Sequence, residues 1–570
     1  MEAGKKTIND IFNGNRVLEI PFFQRAYVWG EDQWERLLED MENVSETDKP
    51  YFLGSVILKQ QPTQTVSRAG DRRTVIDGQQ RLTTLNIFFK VLCLKTNQDG
   101  RFERIFKLID ESISLLHNHN DVENFNRILN LSTLEDLSET DNITLAYTYF
   151  KKNLNPEKLD FGKILTNILF VGIDLDERED EQQIFDTINS LGVKLTTAEL
   201  LKNYFFGREE KDLYEKYWKN IFEADDETKN YWDREITTGR IRRTFIDLFF
   251  WAYLQIKIQE PTLKIKTEDK IEFSKVETLF ESYKNLIKNY NLNKNDILLE
   301  IKDYAKIFSG NFDYEVVNTE LTPNNGIERI TTIIFGLDTS TLIPYILYVL
   351  KNTQNDKNTQ NELFEILESY VMRRMVIHAN TKNYNQLFTD RLIQNEILSK
   401  QEFINFFERQ EDQINFFPND EELKKGFDNA ILVNKQAAGI VYFIESKLRN
   451  GMDSTRLLGI SKYTLEHLMP KKWENNWGKI NDKEKRDFRN RKLLTLGNLA
   501  IITQSLNSSI RDANWKTKKK GKDKRGGLAL YSSGIKTLVP FLSLENWNEE
   551  EIQKRADFLY NEAVKIWKKN

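Results

Sequence analysis

The chain is 570 residues long, 39% hydrophobic, 12% aromatic and 30% charged, with a formal net charge of −5. That composition excludes collagen-like, low-complexity and largely disordered chains, because the aromatics supply a substantial core, and the length predicts two to four domains. One cysteine, Cys93, excludes an internal disulfide framework, and four histidines leave little for a His/Cys zinc site.

The opening MEAGKKTINDIF lacks the apolar stretch of a signal peptide. No window approaches the 18 apolar residues of a membrane span. The expectation is a soluble, cytoplasmic, multidomain protein with no membrane partner.

Residues 20–29, IPFFQRAYVW, embed Gln24 and Arg25 among Phe22, Phe23, Tyr27 and Trp29. Strands are expected at 51–58 (YFLGSVIL) and 73–77 (RTVID), which are β-branched or aromatic and end at Gly or polar residues. IDGQQRLTTL at 76–85 reads as strand, turn and helix, with Leu82, Leu85, Phe88, Phe89 and Leu92 at near-helical spacing. Backbone amides at that helix start, with Arg81, offer a seat for phosphate oxygens, and Asp77 could hold a metal or take a proton. The string is no Walker motif. Alone, it reads more plainly as Asp77 capping the helix and Arg81 in an ion pair. A third strand is expected at 168–174, then a helix through Ile184, Phe185 and Ile188 that stops near Gly192. Thr196 with Glu199 fits a capping box for the next helix.

From about 208 to 430 the spacing is helical, notably over 241–259, 269–290 and 359–377. The last stretch mixes strand-like residues at 491–502 with a closing helix over 548–568. It is also the basic part of the chain: residues 431–570 hold 28 Lys and Arg against 15 Asp and Glu, a net of +13, leaving −18 for the remainder. A basic quarter on an acidic body suits a polyanion-binding module. Its densest run, RDANWKTKKKGKDKR at 511–525, includes Lys516, Lys518, Lys519, Lys520, Lys522, Lys524 and Arg525. These cations would grip DNA phosphates without reading sequence. Trp515 among them reads best as a packed core tryptophan.

LEHLMP at 465–470 sets Glu466 beside His467 in a strand-like run ended by Pro470, and KLLTLGNLAIITQSLNSS supplies Asn498 and then Asn507. Singly, such a histidine reads as structural and a lysine run as a solvated loop. Together with the local charge they make a metal-assisted phosphodiesterase kit: a neutral imidazole to activate water, and a carboxylate with an amide oxygen for a hard cation.

The run H-x-x-P, then G-N-L, then N, with Trp547 ahead of a helix bearing Ile552 and Arg555 and closing at Trp567, resembles the HNH (ββα-metal) nuclease domain at the carboxyl end of GmrSD-type modification-dependent (type IV) restriction endonucleases. IPFFQRAYVW and IDGQQRLTTL resemble the ParB/sulfiredoxin-like amino-terminal domain of that family. INSLGVKLTTAELLKN at 188–203 resembles a further family stretch through Asn189 and Gly192, with Leu191 where an Arg is common. The resemblance covers roughly 10–210 and 430–570, and the helical middle only by position.

It implies an α+β multidomain chain: a ParB/sulfiredoxin-like α/β NTPase or sensor domain (1–210), a helical linking region (211–430) and an HNH domain (431–570). His467 would be the general base, Asn498 would orient the active-site loop or the His, and Glu466 and Asn507 would bind Mg²⁺ or Mn²⁺. Asp77, Gly78, Gln79, Gln80 and Arg81 would bind a nucleoside triphosphate, GTP ahead of CTP or ATP. Gln24, Arg25, Tyr27 and Trp29 would line or neighbour that site or a modified-DNA sensing pocket. The function implied is a nucleotide-regulated DNA endonuclease of anti-phage defence acting on modified phage DNA; with one such site per chain, a double-strand cut would take pairing of two chains as a homodimer or sequential nicking. The alternative is a nucleic-acid-binding protein or NTPase whose HNH-like domain binds without cleaving.

Overall fold

The computed structural model describes residues 2–569 apart from 13–15, 22–23, 25, 62–70, 118–120, 139, 177–196, 207–209, 239–240, 325, 410–413, 451–452, 454 and 523–524. They fall into two units, Met1–Lys219 and Asn220–Asn570.

The first unit is built on a six-stranded mixed sheet of β1 (Glu2–Thr7), β2 (Arg16–Glu19), β3 (Tyr51–Gln60), β4 (Asp71–Asp77), β5 (Leu115–Leu116) and β6 (Ile168–Leu175), in the order β1-β6-β3-β4-β2-β5. The three expected strands are present, each slightly longer than expected. β1 was not expected. Its side chains are mostly exposed, so it lacks apolar alternation, and antiparallel pairing with β6 from Glu2↔Asp174 to Thr7↔Leu169 makes it a strand.

Three helices of this unit are α1 (Glu31–Thr47), α2 (Gln79–Lys95) and α3 (Asn142–Asn153). α2 carries the expected apolar stripe, but it is buried on nearly every face, including Thr83, Thr84, Asn86 and Lys90. A helix enclosed on all sides forms the centre of a core, and each of its polar groups needs a partner. Lys90 pairs with Asp99 at 2.6 Å, and Thr83 Oγ1 lies 2.9 Å from His117 Nε2. His117 is therefore a core histidine. Cys93 is buried. The helix expected through Ile184, together with Asn189, Gly192 and Thr196, lies outside the described residues. The helix Thr197–Phe205 follows them.

In the second unit the helical spacing is realised in α4 (Phe245–Lys257), α5 (Ile343–Asn352), α6 (Lys357–Val376) and α7 (Asn434–Leu448). Two expected helices change form. Residues 241–244 are a strand before α4, and 269–290 is split between Thr267–Phe273 and Leu279–Asn289. The last part of the chain adds an antiparallel pair, β7 (Tyr463–His467) and β8 (Leu499–Thr503), the short helices α8 (Gln504–Ile510) and α9 (Trp515–Lys520), and α10 (Glu549–Ile566). Of the strand expected over 491–502, only the part from Leu499 is strand, because Lys483–Lys492 is helix.

The helical region and the chain end interlock. Trp567, just past α10, donates its indole N–H to Glu368 at 3.1 Å, and Arg373 Nε donates to the Trp567 carbonyl at 2.6 Å. Glu368 is also held by both arms of Arg329 at 2.5 and 2.7 Å. Burial alone would raise that carboxyl, but Arg329 keeps it below its usual range. α7 packs on both β7 and β8, placing the strand pair against the helices.

Candidate active site

His467 ends β7, opposite Leu499 of β8, and α8 follows β8 directly. Residues two apart in a strand send their carbonyls to the same edge. The Leu465 carbonyl accepts from Asn507 Nδ2 at 3.2 Å and the His467 carbonyl accepts from Lys518 Nζ at 2.7 Å. Asn507 Nδ2 also donates to Thr464 Oγ1 at 3.1 Å. These side chains cover the edge of β7 that β8 leaves free. Glu466, buried beside them, pairs with the same Lys518 ammonium. Asn507, Glu466 and the backbone of His467 thus meet at one strand edge.

The His467 ring is half-buried. Burial first, then Lys471 and Lys518, push its pKa down to about 4, so the imidazole is neutral near pH 7. The turn after it is clamped by Asn498, which is fully buried. Asn498 Nδ2 donates to the carbonyls of Met469 and Leu493, each at 2.8 Å, and its Oδ1 accepts from Met469 N at 2.8 Å and Trp547 Nε1 at 2.9 Å. Its amide is spent on these bonds, which fix the turn after His467. Arg555 of α10 braces the same loop from behind, donating to the carbonyls of Gly497 at 3.0 Å and Leu499 at 2.7 Å. A Cβ at position 497 would lie 2.1 Å from the Ile552 carbonyl, so the close approach of α10 requires glycine there.

The lysine run divides. Lys516 and Lys520 are exposed, and Lys519 is half-buried with its ammonium on the Leu544 carbonyl at 2.6 Å. Lys518 is fully buried on Glu466, which corrects its expected role as a phosphate grip. The side chains of Lys522, Lys524 and Arg525 lie outside the described residues. Trp515 is a core tryptophan, stacked on Trp547 with centroids 5.1 Å apart. Sequence reading passed over Lys471 and Lys472, exposed immediately after Pro470. The pair of lysines following HLMP was the available signal.

In the first unit the structure brings the two amino-terminal strings together, largely through internal bonds. Gln24 donates to the Val75 carbonyl at 2.7 Å. Gln80 Oε1 accepts from Val28 N at 2.8 Å and Trp29 N at 3.2 Å. Tyr27 is buried, its hydroxyl 2.6 Å from Thr84 Oγ1 and accepting from Trp34 Nε1 at 2.8 Å. Tyr27 is thus a core residue and not a pocket wall, and Trp29 is partly buried against the same core. Arg25 lies outside the described residues. Asp77 accepts from Ser55 Oγ at 2.7 Å and pairs with Arg81 at 3.2 Å. Gly78 takes φ +104° to turn the strand into α2, and Gln79 is buried at that helix start. Ser55 went unnoticed in the sequence. Gln80→Ala, which strips the acceptor from two backbone amides, is expected to lower this unit's stability by about 1–3 kcal/mol. Calorimetry would read it as an earlier melting transition.

Among the described residues no group of three or more His, Cys, Asp or Glu side chains could hold a metal. Glu466 and Asn507 nevertheless fit a hard cation by donor type, a carboxylate and an amide oxygen at one edge. The Asn507 nitrogen is committed to β7, so its oxygen is the group it has to offer. Glu466 already carries an ammonium, so a divalent ion takes it only in exchange for Lys518. None of the described helices is long and apolar enough to cross a membrane.

The family model for the N-terminal domain of the GmrSD restriction endonuclease matches residues 8–206. The model for the C-terminal domain of GmrSD restriction endonucleases matches residues 417–562, which takes in α7, the strand pair and most of α10. No curated protein matches the chain.

Proposed function

Because the chain belongs to the GmrSD restriction endonuclease family, and so to the DNA endonucleases of phage defence, we propose that it hydrolyses modified phage DNA at His467 under the control of a nucleotide bound in its first unit. What supports the reading is the half-buried, neutral imidazole of His467 on a turn clamped by Asn498, with Asn507 at the same strand edge.

The neutral ring takes a proton from water. The water oxygen bonds to phosphorus as the bond to the leaving oxygen breaks, and that oxygen is protonated from solvent. Glu466 and Asn507 would hold a divalent ion, Mg²⁺ or Mn²⁺, which would supply charge stabilisation at the phosphate. Lys471, Lys472, Lys516 and Lys520 grip the DNA backbone, so binding weakens steeply with salt. Cutting both strands with one His467 per chain calls for two paired chains or two successive nicks.

Phosphate contacts do not distinguish host from phage, so cutting has to be conditional. The proposed control is GTP, or CTP or ATP, at Asp77–Arg81, where the amides of the α2 start and the Arg81 guanidinium can meet phosphate. The Asp77→Ala variant tests it: phosphate release by the parent no greater than by the variant removes nucleotide hydrolysis from the reading.

One observation favours the second reading, binding without cleavage: Glu466 is occupied by Lys518. A panel of modified and unmodified phage DNA, with Mg²⁺ or Mn²⁺ and each nucleotide, decides between the two. Metal-dependent cutting of the modified DNA is expected. Bound but intact DNA under every condition overturns the nuclease reading, and equal cutting of both DNAs removes modification dependence alone.

A further inference from the structure

A cavity of about 530 Å³ is lined by Tyr463, Thr464 and Leu465 of β7 and by Asn507 of α8. A second cavity, of about 500 Å³, shares its residues Tyr314, Phe335 and Lys435 and extends to Arg234. Each falls within the range of small-molecule sites, about 300–1,000 Å³.

The walls suit a flat, partly polar ring. Tyr314 and Phe335 meet edge to face with centroids 5.6 Å apart. Tyr463 is fixed from behind, its hydroxyl accepting from Leu458 N at 3.2 Å. Around these rings lie hydrogen-bonding groups: the Lys435 ammonium, paired with Asp338 at 2.6 Å, and the side chains of Ser461 and Gln504.

Position supplies the link to chemistry. Leu465 and His467 lie on one face of β7, two residues and about 7 Å apart. A nucleotide with its phosphate at His467 therefore has its neighbour's base within reach of the cavity.

We propose that this cavity receives the base of a nucleotide next to the scissile phosphate, turned out of the stack, and accommodates the modification that the base carries. Stacking on aromatic faces and hydrogen bonding to base edges are how proteins hold such extruded bases. The proposal rests on His467 as the cutting residue.

The test is photo-crosslinking of the full-length His467→Ala protein, which keeps the DNA intact, to an oligonucleotide carrying 5-iododeoxyuridine at successive positions. Mass spectrometry of the peptides should place a crosslink on Tyr314 or Tyr463 from one or two adjacent positions. Ala438→Trp, which fills the cavity from α7, should reduce that crosslink at least tenfold and leave other crosslinks in place. In an otherwise unaltered chain with an unchanged melting temperature, it should lower cutting of modified DNA at least tenfold. Crosslinks that avoid both tyrosines overturn the proposal, whatever the variant does. A chain that crosslinks in the cavity yet never cuts keeps the pocket and loses the nuclease reading. One that cuts without a cavity crosslink does the reverse.

Discussion

Replacing His467 by alanine is expected to lower the rate of DNA cutting by about 10²–10⁴-fold, the range of a lost general base, with DNA affinity and melting temperature close to the parent's. The separation of effects follows from how the residue is held. Asn498 grips the following turn through main-chain atoms, with Leu468 N on its carbonyl at 2.9 Å and Met469 N on its side chain at 2.8 Å. None of those bonds uses the imidazole. Lys518 holds the backbone carbonyl of residue 467, which alanine retains. The ring can therefore be removed without releasing the loop, and the phosphate-gripping lysines stay in place. Gel-resolved cleavage under single-turnover conditions separates the chemical step from binding. A variant that cuts as fast as the parent, with contaminating nuclease excluded, removes His467 from the mechanism.

What could be read from the sequence depended on whether a residue's environment is written in its neighbours. β3, β4 and β6 were legible because buried strands concentrate β-branched and aromatic residues. β1 is polar and exposed, and exists through its pairing with β6, so local sequence carried no sign of it. His467 and Asn507 were paired in the sequence by their spacing and by resemblance to a known family, and the structure sets the Asn507 side chain against the strand that His467 ends. Lys518 was not. In a run of cations each lysine looks alike, yet α9 places Lys518 three residues after Trp515, on the same helix face. That face is buried. The core tryptophan was the clue. Gln80 and Tyr27 carry bonds that their neighbours in sequence do not announce: Gln80 accepts from two backbone amides, and the Tyr27 hydroxyl lies on Thr84 across the core.

Lys518→Met is expected to destabilise the second unit by about 3–5 kcal/mol, because it leaves the Glu466 carboxylate buried without its partner. The side chains of Lys518 and Glu466 are only 1% and 6% exposed, so solvent cannot take over the missing bond. Burial raises the Glu466 pKa and lowers that of Lys518 in spite of their pairing, so the pair is held against a desolvation cost. Removing both charges removes that cost as well. The double variant Glu466→Leu/Lys518→Met should therefore recover most of the stability that the single change loses. Cutting is where the two roles of Glu466 part. A carboxylate that serves only to fasten Lys518 is dispensable once Lys518 is gone, and the refolded double variant would then cut like the parent. A carboxylate that exchanges Lys518 for a divalent ion is not dispensable, and the double variant should melt near the parent temperature while cutting at least 100-fold more slowly and binding Mn²⁺ more weakly in calorimetric titration. We expect the second outcome. Parent-like cutting by a stable double variant would leave Asn507 as the sole member of the proposed ligand pair.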